Sequence, residues 1–388
     1  MPDATFAALA STIFEEMSGL AREVGAINLG QGFPDAPGPE AVRRRAAEAV
    51  LSGYNQYPPS AGLMELRQAV ADHYGRTQGL NLDPVGNIVI TSGATEALAA
   101  AFLALIEPGD EVVVFQPFYD AYLPLIRRAG GVPRLVSLQP PEWRITRDLL
   151  GGAITPATRF LVLNSPTNPT GRVLDEDELA AVAEACRAHD LIAICDEVWE
   201  QVVFAPAVHR PLMAQPGMAE RCVKIGSAGK MFGLTGWKVG FACASAELTR
   251  HVARAHQMLA FTTPPNLQTA VAYGLESGAD WFAAMPAELA ASQDCLAQAL
   301  GREGFVARSS AGTYFLNVDL SASGVAISDR DFAFMAVREA GVASIPVSAL
   351  YETEPVETML RLCFAKSDAT LEEAAKRLAK ARDLAQRR

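Results

Sequence analysis

Short apolar runs alternate with longer alanine-rich segments through the first two thirds of the chain. The runs occupy residues 88–91 (IVIT), 111–115 (EVVVF), 160–164 (FLVLN), 191–195 (LIAIC) and 222–226 (CVKIG). Runs that are apolar on both faces are typical of buried parallel strands, and the segments between them carry helical patterns. The alternation therefore predicts an α/β fold with a mainly parallel, doubly wound sheet sandwiched by helices.

The chain has 388 residues, and because a single core stops growing at roughly 250 residues we expect two domains. From residue 286 onward the pattern changes to a helical stretch, a strand-like TYFLNVDL and a final alanine-rich helix. We expect a large domain over 45–285 and a smaller α+β domain built from 1–44 and 286–388. Since no linker rich in Gly, Pro or Ser separates them, the domains should pack closely around a cleft.

Composition narrows the class of protein. A net charge of −11 with dispersed Arg and Lys residues argues against a nucleic-acid partner. No uncharged apolar run reaches the ~20 residues that cross a bilayer, and the N-terminus lacks the pattern of a secretory signal, so we expect no membrane partner and a cytoplasmic protein. The six cysteines stand singly, without a CxxC pair or a histidine at ligand spacing, which predicts buried thiols and no metal site.

One lysine follows an apolar run within a stretch of small residues. Lys230 comes after Ser227, Ala228 and Gly229, directly behind the run 222–226. Ligands collect outside the carboxyl ends of an α/β sheet, and a lysine desolvated there becomes an amine nucleophile suited to Schiff-base chemistry. Taken alone, Lys230 and Lys238 could equally be solvated loop lysines.

A carboxylate reaches the same edge of the predicted sheet. Asp196 ends the run LIAIC, and a charge at that depth needs a partner. A pyridinium nitrogen would be such a partner, because an ionised carboxylate keeps the ring nitrogen protonated and the ring able to accept electrons. An isolated strand-end aspartate is more often a helix N-cap or a Mg²⁺ ligand.

Two further loops can bind a cofactor. Asn168 lies in the proline-fixed turn 164–171, where its side chain is free to hydrogen-bond a phenolate oxygen. The strand 88–91 leads into a helix whose first backbone amides can bind a phosphate. The Ser227 hydroxyl and the Lys238 ammonium could bind the same phosphate, and together these groups would form a phosphate cup. The phosphate-facing amides are those of Gly93, Ala94 and Thr95.

Taken together, these segments resemble class I aminotransferases of fold type I, closest to the branch of kynurenine, glutamine and methionine aminotransferases. The resemblance covers essentially the whole chain and rests on four segments: 28–35 (NLGQGFPD), 164–171 (NSPTNPTG), 195–198 (CDEV) and 227–238 (SAGKMFGLTGWK). It implies a large domain with a seven-stranded sheet, pyridoxal 5'-phosphate held on Lys230, and transamination between an amino acid and a 2-oxo acid.

The resemblance also implies roles for individual residues. Tyr119 would stack on the pyridine ring, and Tyr57 would reach the phosphate in the neighbouring subunit, so that a homodimer shares its active sites. Arg361 would bind the substrate α-carboxylate, assisted by the Gly32 backbone and Asn168, because a guanidinium matches a carboxylate bidentately.

One residue departs from the family pattern. Where the family usually has Asp-Glu-Val-Tyr, this chain has Trp199, which donates only through its indole N–H. We expect the missing phenol to raise the pKa of the cofactor–lysine imine or to shift the rate optimum to higher pH.

The predicted reaction is a ping-pong transamination in which Lys230 anchors the cofactor and moves the substrate α-proton. The expected amino donor is an aromatic, methionine, kynurenine or glutamine-like L-amino acid, and the expected side-chain pocket favours aromatic or long apolar side chains. No second arginine marks a side-chain carboxylate, which ranks aspartate lower as a donor without excluding it and leaves glutamate and glutamine open. That pocket is expected to comprise Phe14, Phe33, Tyr57, Phe261 and Leu350.

Other activities fit some of the same residues. A C–S β-lyase, a synthase or a decarboxylase on the same fold would present the same lysine, aspartate and phosphate cup. A non-catalytic regulator that retains the cofactor is less well supported, since no helix-turn-helix segment is attached. A Schiff-base aldolase on a TIM barrel would need neither Asp196 nor the Asn-Pro loop.

Overall fold

The structure is a computed structural model that describes residues 4–7 and 9–387. Its strands, in chain order, are β1 Ile27–Asn28, β2 Ile88–Thr91, β3 Glu111–Gln116, β4 Val132–Ser137, β5 Thr158–Asn164, β6 Ile192–Asp196, β7 Cys222–Ser227, β8 Gly240–Ala244, β9 Val306–Arg308, β10 Phe315–Asp319, β11 Val342–Ala343, β12 Ile345–Pro346 and β13 Met359–Cys363.

The α-helices, numbered in the same way, are α1 Ala4–Ala7, α2 Ile13–Val24, α3 Glu40–Ser52, α4 Met64–Gln78, α5 Ala94–Leu105, α6 Tyr122–Ala129, α7 Arg147–Ala153, α8 Glu176–Ala188, α9 Ala228–Met231, α10 Ala246–Leu259, α11 Pro265–Ser277, α12 Ala279–Arg302, α13 Asp329–Met335 and α14 Asp368–Ala385. A π-helical turn, Ala336–Ala340, follows α13. Short 3₁₀ turns cover Leu212–Ala214, Thr235–Trp237 and Val347–Leu350.

The main sheet has seven strands in the order β2-β8-β7-β6-β5-β3-β4. Only β8 runs antiparallel to its neighbours, and the other pairings are parallel. Two apolar clusters cover the faces of this sheet, because successive side chains of a strand point to opposite sides. The predicted α/β fold with a mainly parallel sheet is confirmed.

All five predicted runs are strands of this sheet, and two strands were not predicted. The strand β4, with sequence VPRLVS, lies at the sheet edge, where a proline and an exposed arginine stem are tolerated. The strand β8, with sequence GFACA, is buried but consists mainly of small residues without β-branching. Neither sequence shows the strongly apolar, β-branched signature of the other five.

A second sheet of four antiparallel strands, β12-β13-β10-β9, comes from the C-terminal part of the chain. The strand β1 pairs in parallel with β11, which joins the N-terminal region to the C-terminal third of the chain. The expected boundaries at 44/45 and 285/286 fall within α3 and α12. The division into two domains stays a prediction.

The register of the main sheet sets the position of the candidate site. Asn164 at the end of β5 pairs with Asp196 at the end of β6, and Asp196 pairs with Ile225 two residues before the end of β7. Three strand ends therefore deliver their following loops to one edge. Among residues 4–7 and 9–387, no helix combines the length and apolar composition needed to cross a membrane. The cysteines are free thiols, all buried except the half-buried Cys295.

Candidate active site

A cavity of about 700 Å³ opens at the carboxyl ends of the central strands. It is lined by segments from the main sheet, the N-terminal region and the second sheet. All the predicted site residues except Tyr57 line it: Gly32, Gly93, Ala94, Thr95, Tyr119, Asn168, Asp196, Trp199, Ser227, Lys230, Lys238 and Arg361. The structure thus brings together residues separated by more than three hundred positions in the sequence.

Lys230 lies in the single-turn helix α9, directly after β7. Its Nζ donates to the Gly32 carbonyl oxygen at 3.1 Å and stands 4.5 Å from the Trp199 ring centroid. The side chain faces the cavity but is enclosed by protein, and this burial lowers the pKa of Lys230 to about 8. A neutral amine is thus accessible close to neutral pH.

Asp196 is buried, and its carboxylate has one strong side-chain partner. The Tyr122 hydroxyl donates to Oδ2 at 2.6 Å, and the Val198 amide approaches Oδ1 at 3.4 Å. No basic side chain among the described residues lies within ion-pair distance of this carboxylate. Burial raises the pKa of Asp196, while the Tyr122 hydrogen bond opposes that rise. Tyr122 was not predicted, because a tyrosine in an apolar helix has no sequence signature.

The loop between β2 and α5 forms the predicted helix N-terminus. Gly93 precedes the helix with φ +80°, a conformation that favours glycine, and Ala94 is the first helical residue. A Cβ on Gly93 would come within 3.0 Å of the Lys238 side chain. The lysine therefore crosses directly over the helix start. With the buried Ser227 hydroxyl beside them, these groups form a cup for an anion.

Arg361 in β13 is almost completely buried, with 1% of its surface exposed. One terminal nitrogen donates to Asn168 Oδ1 at 2.7 Å, and the other donates to the Gly30 carbonyl at 2.5 Å. Its Nε has no hydrogen-bond partner in the part of the chain that the structure describes. The guanidinium lies between the rings of Phe14 and Phe315, 4.9 and 3.9 Å from their centroids.

Two aromatic side chains border the space between Lys230 and the cup. The Tyr119 hydroxyl is 3.4 Å from the Thr95 hydroxyl, and burial raises the pKa of Tyr119. Trp199 is buried and packs edge-on against Tyr314 at 4.7 Å. A flat ring placed in this space would thus contact aromatic surface.

Tyr57 lies apart from the cavity of its own chain. It is 79% exposed and packs edge-on against Phe261, which is itself exposed. Of the other expected side-chain pocket residues, Phe14 and Phe33 line the cavity. Leu350 is buried and does not line it. That part of the expected pocket was wrong.

Further residues that sequence reasoning missed also line the cavity. Most are apolar, and they include Phe6, Leu9, Pro124, Leu125 and Phe315. One is charged: Asp120, which precedes α6 and is half-buried. Burial raises the pKa of Asp120, against the attraction of Arg361. Its proximity to Tyr119 in sequence was the only available signal.

The family model described as aminotransferase class I and II matches residues 24–378. The chain belongs to this family. It is 44% identical to a probable N-succinyldiaminopimelate aminotransferase, DapC, of Mycobacterium tuberculosis, over 95% of this chain and 96% of that one. It is 38% identical to the methionine aminotransferase of Escherichia coli, over 97% and 98% of the two chains.

Solved structures agree with this assignment. An N-succinyldiaminopimelate aminotransferase from M. tuberculosis superposes with a TM-score of 0.95, covering 98% of this chain and all of that chain. The predicted family and fold type are therefore confirmed, and the protein is an aminotransferase.

Class I and II aminotransferases depend on pyridoxal 5'-phosphate, and the cavity of this aminotransferase fits that cofactor. Lys230 offers an amine of lowered pKa, and the helix start beside Lys238 offers donors for a phosphate. Asp196 offers a buried carboxylate that lacks a cationic partner among the described residues. Each chemical feature of the cofactor thus meets a complementary group.

Proposed function

We propose that this aminotransferase transfers the amino group of an L-amino acid with an aromatic or methionine-like side chain to a 2-oxo acid by a ping-pong mechanism. The observation that carries the proposal is the geometry of Arg361. A buried guanidinium that forms no ion pair with a carboxylate of the described residues faces the same cavity as Lys230, and many of the other lining side chains are apolar. A substrate carboxylate would supply the missing anion.

Lys230 is proposed to hold the cofactor and then to act as acid and base. Its pKa of about 8 lets Nζ accept the proton from the substrate α-carbon and then give it up at a different atom, so that Lys230 serves first as base and then as acid near neutral pH. The Gly32 carbonyl, 3.1 Å from Nζ, orients the released amine. When bound, pyridoxal phosphate supplies an electron sink for the α-carbon.

The remaining predicted residues are proposed to bind and orient the cofactor. Asp196, held by Tyr122, would pair with the pyridinium nitrogen, while Tyr119 stacks on the ring. Asn168 and Trp199 would donate toward the phenolate oxygen. The amides of Gly93, Ala94 and Thr95, with Ser227 and Lys238, would bind the phosphate.

Arg361 is proposed to bind the substrate α-carboxylate. Asn168 and Gly30 use one nitrogen each and fix the plane of the guanidinium, and Phe315 packs against its face. A fixed plane is what bidentate recognition of a carboxylate requires. The Gly32 backbone is proposed to assist, and a larger residue does not fit there, since a Cβ would come within 2.6 Å of the Phe315 ring.

The preference for an uncharged side chain rests on the apolar part of the cavity lining, which we call the apolar lobe. Phe6, Leu9, Phe14 and Phe33 belong to it, and Asp120 adds a carboxylate to the same cavity. A second carboxylate on the substrate would meet repulsion there rather than a free cation. We therefore propose that aspartate and glutamate are poor amino donors.

N-succinyldiaminopimelate is the second candidate donor. The observation that favours it is the 44% identity to the M. tuberculosis enzyme of that name. This donor carries carboxylates at its far end, so Asp120 and the apolar lobe oppose it. A C–S β-lyase remains the alternative reaction on the same cofactor site.

We further propose a homodimer in which Tyr57 reaches the partner's active site. Four large apolar side chains are more than three-quarters exposed on the described surface: Leu51, Tyr54, Tyr57 and Met258. Such exposure is unusual on a monomer and typical of an interface with a second copy. Sedimentation of the wild type as a monomer at micromolar concentration would contradict this proposal. Cytoplasmic residence stays a prediction.

A donor panel tests the proposed function. Methionine, phenylalanine, kynurenine, glutamine, glutamate and N-succinyl-L,L-diaminopimelate are each supplied with a 2-oxo acid, and both products are quantified. We expect the uncharged donors to give the highest kcat/KM and the Lys230→Ala variant to lose turnover. The Asp120→Asn variant should narrow the gap between methionine and glutamate by about tenfold, because it removes one repulsive charge. Release of pyruvate and thiol from cystathionine, without amino transfer, would favour the lyase.

A further inference from the structure

The segment Asp196–Glu200 begins at the last residue of β6, and its side chains point to both sides of the main sheet. Asp196 and Trp199 line the cavity, whereas Glu197 and Glu200 are buried away from it. The alternation of strand side chains explains this arrangement, since Asp196 continues the face of Ile194 and Glu197 passes to the opposite face. One short segment thus contains both residues that line the cavity and residues that point into the core on the other face of the sheet.

Lys224 lies beside the two glutamates, in the protein interior. It lies in the middle of β7 and is completely buried. Its Nζ is 2.5 Å from a carboxylate oxygen of Glu197 and 2.5 Å from one of Glu200. The ammonium also stands 4.5 Å from the Tyr74 ring centroid. A single lysine therefore bridges both glutamates of the segment.

The carboxylates have further donors that keep them in place. The Tyr74 hydroxyl and the Gln78 amide each donate to Glu200 at 2.6 Å. The Leu212 amide donates to Glu197 at 3.2 Å, and His209 Nε2 lies at the same distance. The acidic and histidine side chains would suit a metal ion, but the ammonium of Lys224 already occupies the position between the carboxylates.

Stability alone does not account for this network. Buried ion pairs recover little more than the cost of desolvating their charges, and apolar residues of similar shape are often at least as stabilising. What the network does provide is a fixed geometry for Glu197 and Glu200. Since Asp196 and Trp199 are their chain neighbours, the same geometry fixes the two residues that face the cavity.

We propose that Lys224 is a positioning residue for the cofactor site. By holding Glu197 and Glu200 it fixes the segment Asp196–Glu200, and thereby the direction of the Asp196 carboxylate and the plane of the Trp199 ring. The inference rests on the proposed roles of Asp196 and Trp199 in cofactor binding.

Electrostatics adds a second contribution. Besides burial, the charge of Glu197 raises the pKa of its neighbour Asp196. Lys224 offsets that charge, and it is itself kept protonated by the two glutamates, which raise its pKa against the effect of burial. Removing Lys224 alone would leave two buried carboxylates behind Asp196 and weaken its ionisation.

The test uses a charge-neutral variant, Glu197→Gln/Lys224→Met/Glu200→Gln, which keeps the side chains close to their native size. The readouts are the dissociation constant for pyridoxal phosphate, the absorption spectrum of the bound cofactor, and kcat and KM for methionine. A double variant, Arg308→Met/Asp319→Asn, is the control, because it removes an ion pair that lies outside the cavity lining.

If Lys224 positions the site, the triple variant should bind the cofactor about tenfold or more weakly, and the absorption maximum of the bound cofactor should shift. Losses of this size are typical when residues that orient the direct ligand contacts are removed. The value of kcat should fall more than KM rises, because Arg361 is untouched. The control should change only the melting temperature.

A triple variant with wild-type cofactor affinity and spectrum would overturn the proposal. If the triple variant does not fold, the single variant Glu200→Gln replaces it. This variant keeps the Tyr74 contact and leaves Lys224 paired with Glu197, and its cofactor affinity and absorption spectrum are compared with those of the wild type; unchanged values would likewise overturn the proposal. Cofactor binding and transamination by the wild type are measured first, so that failure of the proposed function is recognised separately.

Discussion

Substituting Arg361 by lysine isolates the geometric contribution of the guanidinium. The change keeps a positive charge in β13 but replaces a planar fork by a single ammonium. In the native protein one terminal nitrogen donates to Asn168 and the other to Gly30, while the guanidinium face packs 3.9 Å from the Phe315 centroid. A lysine cannot reproduce these contacts and also present two parallel donors to a substrate carboxylate.

The size of the effect follows from the interactions that the lysine cannot make. A hydrogen bond to a charged group contributes about 1.5–3 kcal/mol, and a cation–π contact adds about 0.5–2 kcal/mol. Losing one bond of the bidentate pair together with part of the aromatic contact should cost about 2–4 kcal/mol of transition-state binding. That cost corresponds to a roughly 30- to 1,000-fold fall in kcat/KM for an L-amino acid.

The assay compares the wild type and Arg361→Lys under pre-steady-state conditions with phenylalanine and with its carboxylate-free analogue, phenethylamine. The fall in rate should appear with phenylalanine and be nearly absent with the amine, which has no group for Arg361 to bind. An equal fall with both compounds, or a fall with phenylalanine below about fivefold, would refute the assigned contact.

Three further predictions concern the cofactor site. Because burial lowers the pKa of Lys230 to about 8, the rate at which cofactor-free enzyme takes up pyridoxal phosphate should rise roughly tenfold per pH unit below that pKa and level off above it; a rate independent of pH would contradict this. The Trp199→Tyr variant, which restores a phenol, should lower the pKa seen in a spectroscopic titration of the bound cofactor, and an unchanged midpoint would count against it. Gly93→Ala should weaken cofactor binding by about tenfold or more, because its Cβ would come within 3.0 Å of Lys238 and φ is +80°; Gly151→Ala, where the Cβ meets nothing within 4 Å, is the matched control and should bind normally.

The sequence was sufficient for the features that depend on strand ends. Lys230, Asp196 and Asn168 each follow an apolar run, and runs of that kind were placed correctly in the main sheet. Because parallel strands end at one edge, their following residues had to meet. The prediction of a shared cavity was therefore a consequence of topology, and the structure brings these residues to one cavity.

Sequence reasoning could not predict residues whose contact with the site depends on the direction in which their side chains point. Tyr122 lies on a helix whose rotation decides whether its hydroxyl meets Asp196, and a sequence does not specify that rotation. Lys224 stood within a run counted as apolar, although it carries a charge across the sheet to Glu197. Leu350 was placed in the substrate pocket by analogy, whereas it packs in the core. Each depends on packing between elements distant in sequence.

The charged residues that line the cavity give the physical reason for expecting that a substrate with a second carboxylate, on its side chain, binds poorly. The charged lining residues are the cations Lys230, Lys238 and Arg361 and the carboxylates Asp120 and Asp196. A phosphate brings a charge of about −1.5 to −2, which Lys238 and a helix start can offset, and a pyridinium nitrogen offsets Asp196. In the proposed binding mode, the substrate α-carboxylate would then pair with Arg361. A carboxylate on the substrate side chain would then enter a partly buried region near Asp120, with no described cation of the cavity lining left to pair with it. Desolvating that unpaired charge would weaken the binding of dicarboxylic donors but not of donors with an uncharged side chain.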